Sequence, residues 1–177
     1  MNAALRHEAI PWPTRRSPRP RYIMIKPPPG PAREIGALSA RPAELLHVTV
    51  RPLGDAALFD AGAEARLLRA LDAFRAPPFR VVFDRLHGSG ETLSLRGSRV
   101  MEGARRFERR LVETLTHRVG MPRYRFAPHL TLAYGHTVRR NEHIDAVSWL
   151  VEEYLLVESV YGEGRHVLLG RWPLVGA

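Results

Sequence analysis

Two segments of the chain set a histidine and a threonine one residue apart between apolar neighbours. They are Leu46-His47-Val48-Thr49-Val50 in the first half and Pro128-His129-Leu130-Thr131-Leu132 in the second. Given the histidine and threonine content, chance predicts roughly 0.06 such apolar-flanked triplets in the whole chain. In a strand, side chains alternate faces, so each segment would present an imidazole beside a hydroxyl while Val48, Val50, Leu130 and Leu132 anchor in a core. Two such strands facing one volume would supply two groups that titrate near neutral pH and two hydroxyl donors. That set suits a phosphodiester. A neutral histidine takes a proton from the attacking hydroxyl, a protonated one gives a proton to the departing oxygen, and the threonines stabilise the charge gathering on the phosphoryl oxygens. There is no cysteine, no His-Glu-x-x-His and no close histidine pair, so neither a metal nor another cofactor is expected.

The surrounding pattern predicts the elements that hold these segments. Arg21 to Ile25 reads as a strand stopped by Pro27-Pro28-Pro29-Gly30, and Leu46 to Val50 as a second strand ended by Pro52. Ala61 to Phe74 has helical spacing and meets Pro77-Pro78. Phe79 to Phe83 and Thr92 to Leu95 flank Gly88-Ser89-Gly90 as a hairpin. Val100 to Val119 is a second long helix, with Gly120 where a C-cap glycine belongs. His129 to Tyr134, Trp149 to Val160 and His166 to Arg171 are strands, the last entered through Gly162-Glu163-Gly164. This order favours antiparallel pairing and an α+β class. The recurrence of strand, helix and strands predicts two similar lobes.

At 177 residues the chain suits one compact unit. Residues 1–20, rich in proline and arginine, read as a flexible basic tail, and 21–177 as a single domain. The formal charge of +9 is almost wholly arginine, Lys26 being the sole lysine. Guanidinium groups suit phosphate because they donate two parallel hydrogen bonds. A GC-rich coding bias with a solvated surface gives the same composition, and both readings stand. The absence of cysteine, of an apolar run long enough to cross a bilayer and of a signal-type leader predicts a cytoplasmic protein without membrane contact.

These residues resemble the 2H phosphoesterase superfamily, and within it the bacterial RNA 2′,3′-cyclic phosphodiesterases, also called 2′-5′ RNA ligases. The resemblance covers about residues 21 to 174. Beside the two His-x-Thr segments it rests on Arg51-Pro52-Leu53-Gly54-Asp55, Ala127-Pro128, Glu158-Ser159 and Arg165-His166. It implies a bilobal, pseudo-twofold fold of two antiparallel sheets with flanking helices around a central cleft. It also implies a catalytic set of His47, Thr49, His129 and Thr131, with His47 as acid and His129 as base. The implied reaction opens a 2′,3′-cyclic phosphate of RNA ends or small cyclic nucleotides to a 2′-phosphate, with 2′-5′ joining as a further activity. A monomer is implied.

The best-known bacterial branch often carries arginine where this chain has Tyr134. Arg51, two residues beyond Thr49, and Tyr134 are therefore candidate substrate-binding residues. His7, His87, His117, His136 and His143 read as surface or helix-end residues, and His166 as packing. Arg106, Arg109 and Arg110 read as a solvated helix face. The alternative to an enzyme is a non-catalytic module that binds RNA or nucleotide phosphate, motivated by the charge and by Tyr134.

Overall fold

The apolar run after the N-terminal arginines forms β1 (Pro20–Ile25), in a computed structural model that describes residues 19–116, 118–135, 138–160 and 163–176. Residues 1–18 of the expected tail, and Gly162 of the expected turn, lie outside the described residues. Proline ends β1 as predicted, but the chain then enters a helix, α1 (Pro29–Gly36), that the sequence pattern does not signal. Pro29 occupies the first helical position, where no N–H is required. Burial of Ile35 on the core side holds the turn down.

A short 3-10 turn (Ala43–Leu45) leads into β2 (Val48–Asp55), which runs through Pro52 rather than stopping there. Register shifts beside this segment let the proline sit within the pairing. The helix α2 (Ala61–Ala73) starts where Asp60 accepts from the Ala63 amide at 2.6 Å. It buries Leu67, Ala70 and Leu71. The predicted hairpin is β3 (Phe79–Ser89) and β4 (Thr92–Arg96), turning through Gly90 at φ 92°. The helix α3 (Glu102–Thr116) turns Ala104, Phe107, Leu111 and Leu115 inward. Its described span ends at Thr116, and the Val119 amide donates to the Leu115 carbonyl at 3.0 Å. β5 (His129–Tyr134), β6 (Arg139–Val151), β7 (Glu153–Val160) and β8 (Arg165–Pro173) follow.

The strands form one antiparallel sheet in the order β6-β3-β4-β5-β2-β1-β7-β8. This corrects the expectation of two sheets. The halves fuse where β2 meets β5, at the single register pair Val48↔Leu130. Four strands lie on either side of that seam, and each half brings one His-x-Thr segment to it.

One face of the sheet carries the main core. Ile23, Ile25, Val48, Phe83, Leu95, Leu130, Trp149 and Tyr154 pack there with the buried residues of all three helices. Tyr154 is fully buried against Phe74, Phe107 and Trp172, and its hydroxyl donates to the Leu71 carbonyl at 3.1 Å. The opposite face holds only a small apolar cluster of Met24, Leu155 and Val157 beside Tyr22. No helix among the described residues is long and apolar enough to cross a membrane.

Candidate active site

Val48 and Leu130 pair across the seam, and both are fully buried in the core. Because alternate residues of a strand point to opposite faces, His47, Thr49, His129 and Thr131 all belong to the open face, and all four are half-buried. The pairing at that single position brings His47 and Thr49 from one side of the seam and His129 and Thr131 from the other to one face.

The same local bond orients both rings. The Nδ1–H of His47 donates to the Leu45 carbonyl at 2.7 Å, and that of His129 to the Ala127 carbonyl at 2.8 Å. A carbonyl oxygen only accepts, so the proton is fixed on Nδ1 and Nε2 is left as the nitrogen free to act on a ligand.

His47, Thr49 and His129 line a cavity of about 240 Å³, with Tyr22 and Met24 from β1 as its floor. Thr131 shares the face but is not among its walls. Tyr134, one of the two candidate binding residues, stands at the rim and is 66% exposed. A larger cleft of about 470 Å³ between α2 and α3 offers arginines and Glu113 but no facing acid and base.

Arg51 does not join the cavity. Ile23 pairs with Arg51 while Met24 pairs with Thr49, so Val50 is an extra residue and the alternation slips by one. The guanidinium turns to the helix side, where it donates to the Pro122 carbonyl at 2.8 Å and to Glu108 and the Tyr124 carbonyl at 3.3 Å each. It pins the loop that carries Tyr124, another cavity wall, whose hydroxyl donates to the Thr49 carbonyl.

Six wall residues were not among the sequence candidates, Tyr22, Met24, Arg41, Tyr124, Ser159 and His166, because separate segments deliver them. Arg41 is the one lysine or arginine lining the cavity. Its backbone is moored to β5, since Ser39 Oγ accepts from the Arg41 amide at 2.9 Å and donates to the Leu132 carbonyl at 3.0 Å. The guanidinium lies 4.9 Å over the Tyr134 ring. Nη2 donates to the Leu45 carbonyl that also holds His47, while Nη1 is buried without a partner among the described residues. His166, from β8, meets His47 edge-on with ring centroids 5.0 Å apart, and Ser159 comes from β7. The only sequence signal for the last two was the Glu158-Ser159 and Arg165-His166 pattern.

Burial dominates the electrostatics. It pushes His47 down to about 3 against the pull of the Leu45 carbonyl, with His166, Arg41 and Lys26 adding to the depression. His166 falls to about 4, through burial and then the charges of Lys26 and Arg41. Burial pushes Tyr22 and Tyr124 up to about 12, so both phenols remain donors. His87 and His143 also stand on the open face, on β3 and β6, while His7, His117 and His136 lie outside the described residues. No group of three or more potential metal-ligating side chains occurs among the described residues.

A family model for the 2′-5′ RNA ligase superfamily matches residues 26–158. The fold is similar to that of E. coli LigT complexed with 3′-AMP, with TM-score 0.75, 22% sequence identity, and coverage of 90% of this chain and 99% of that one. It is also similar to a crystal structure described as a phosphoesterase, with TM-score 0.74, 22% identity and coverage of 90% and 100%. TT0787 of Thermus thermophilus follows with TM-score 0.68, 16% identity and coverage of 88% and 97%. At such identities the structures show a shared fold. Among curated proteins no sequence matches the chain.

Proposed function

The chain belongs to the 2′-5′ RNA ligase superfamily, and from that premise we propose that it is a metal-independent phosphodiesterase that opens 2′,3′-cyclic phosphates of RNA or nucleotides to 2′-phosphates. The observation that carries this is the matched pair of imidazoles, each with its proton fixed on Nδ1 by the carbonyl two residues before it.

In this reading the reacting phosphate sits over the seam between His47 and His129. Burial keeps His47 neutral, which is the form a general base must have. The proposed direction therefore reverses the one implied by the resemblance. His47 Nε2 removes a proton from water as its oxygen bonds to phosphorus. His129, protonated, gives a proton from Nε2 to the ribose O3′ as the P–O3′ bond breaks. The product is a 2′-phosphate and a free 3′-hydroxyl, and solvent returns the two histidines to their starting states. A 5′-hydroxyl in place of water forms a 2′-5′ linkage by the same proton movements.

Thr49 and Thr131 donate to the non-bridging oxygens, where charge accumulates. Arg41 supplies the positive charge. Its partnerless Nη1 and its position over Tyr134 give the phosphate a guanidinium that Arg51, held on the far face, does not offer.

The test is turnover of 2′,3′-cyclic AMP and of a short RNA ending in a 2′,3′-cyclic phosphate, with EDTA present. Wild type is expected to release 2′-phosphate products, and His47→Ala or His129→Ala to lose about 10²- to 10⁴-fold each, the usual worth of a positioned acid or base. Full activity in both variants would refute the assignment. Salt-sensitive binding of the RNA with no product would favour the non-catalytic module instead.

A further inference from the structure

His166 takes no part in the proton movements above, yet its ring meets that of His47 with centroids 5.0 Å apart and planes at 75°. β8 reaches this contact from far across the sheet. β1 and β7 separate it from β2, a lateral distance of about 14 Å in a flat sheet at about 4.8 Å per step. The sheet therefore curls and brings its outermost strand back over the open face. Ser159 is the register partner of His166, and the two residues line the cavity together.

One hydrogen bond fixes one atom of a ring and leaves the plane free to swing about it. For His47 the Leu45 carbonyl fixes Nδ1, and the His166 ring blocks the swing. His129 has the equivalent carbonyl bond but no ring neighbour among the described residues. The contact also takes water away from His47, whose burial is the largest cause of its resistance to protonation.

The surroundings suit His166 to this task as a neutral ring. An imidazolium needs an acceptor for each of two N–H groups, and His166 Nδ1 is buried without a hydrogen-bond partner among the described residues. No carboxylate lines the cavity. The charges that bear on the two rings are those of Lys26, just past β1, and Arg41, from the loop before β2, and both oppose a further positive charge. Glu44 bears on Lys26 rather than on either ring. The other titratable walls are the phenols of Tyr22, Tyr124 and Tyr134 and the imidazole of His129.

We propose that His166 is a positioning residue that acts through His47: its neutral ring, carried by the folded-back edge strand, fixes the plane of the proposed base and shields it from water. The consequence for catalysis rests on the phosphodiesterase reading, whereas the effect on the His47 ring rests on the contact alone.

The experiment titrates the His47 ring in the full chain by NMR of ring-labelled histidine, its resonance identified by its loss in His47→Asn. Wild type is compared with His166→Phe, which keeps a ring and removes both nitrogens, with His166→Asn, which keeps a polar group and removes the ring, and with His166→Ala. From about pH 8 to about pH 4, a range that brackets the ordinary histidine value, His47 is expected to stay neutral in wild type and in His166→Phe. In His166→Ala and His166→Asn it is expected to titrate inside that range, a rise of about one unit or more as water re-enters. If His166→Ala does not fold, the phenylalanine and asparagine variants decide. A neutral His47 in His166→Ala or His166→Asn overturns the proposal, as does a titrating one in wild type or His166→Phe.

The pH profile of kcat/KM for 2′,3′-cyclic AMP is the second readout, since its acid limb reports the base in the free enzyme. That limb should move up in His166→Ala and His166→Asn and stay in place in His166→Phe. A merely structural role would scale the whole profile without moving the limb, and that result overturns the proposal. Absence of turnover by wild type would refute the phosphodiesterase reading and leave the NMR comparison to decide the positioning role.

Discussion

Replacing His47 by asparagine keeps a side-chain donor for the Leu45 carbonyl but removes the one group in the cleft most resistant to protonation. In the unfolded chain this histidine titrates at its ordinary value of 6.5, and in the folded protein burial holds it near 3. Between those values the unfolded state binds a proton that the folded state refuses. Stability attributable to the site is therefore intact above 6.5 and is lost as pH falls towards 3. At about 1.4 kcal/mol per pH unit, going from about pH 7 to about pH 5 withdraws about 2 kcal/mol from wild type and nothing from His47→Asn at this position. Other groups titrate in both proteins and cancel in the comparison. The assay is equilibrium urea unfolding of the two proteins at about pH 7, 6 and 5. Wild type should lose the additional stability as acid is added. Two curves that run parallel would show that His47 is not held neutral by burial, and would remove the reason for making it the base.

Three further outcomes follow from named contacts. Arg41→Ala should lower kcat/KM about 10- to 100-fold, the worth of a charge-assisted bond to phosphate, with Arg41→Lys partly restoring it, as steady-state kinetics would show. Tyr154→Phe should cost about 1 kcal/mol by removing one of the two hydrogen bonds that the Leu71 carbonyl accepts, the other coming from the Phe74 amide, read from the urea midpoint. Gly88→Ala should destabilise by about 1 to 3 kcal/mol, because a Cβ there would overlap the Val138 carbonyl oxygen and force β3 and β6 apart; a thermal melt checks this.

Much of the fold was legible because it depends on local periodicity. The apolar stripes of α2 and α3, the Gly-rich turn between β3 and β4, and the alternation of β5 each reflect burial of one side of one element. The reading failed where context overrides local preference. Arg139 to His143 carries too many polar residues to look like a strand, yet it is the start of β6, an edge strand with solvent on one side, where such residues are tolerated. Proline at 29 looks like a break and instead starts a helix that Ile35 anchors in the core.

The same division runs through the site. The sequence by itself determined the two His-x-Thr segments, their strand setting and the face they share, because a period of two is written in adjacent residues. Only the tertiary structure decided what surrounds them. The extra residue at Val50 turns Arg51 away from the face that simple alternation assigns to it. Arg41, Tyr124, Ser159 and His166 converge on the cavity from four separate segments, and no local pattern records that meeting. The fusion of both halves into one sheet rests on one pair, Val48 and Leu130. Long-range pairings of this kind are set by how whole elements pack, so they become visible only once the chain has folded.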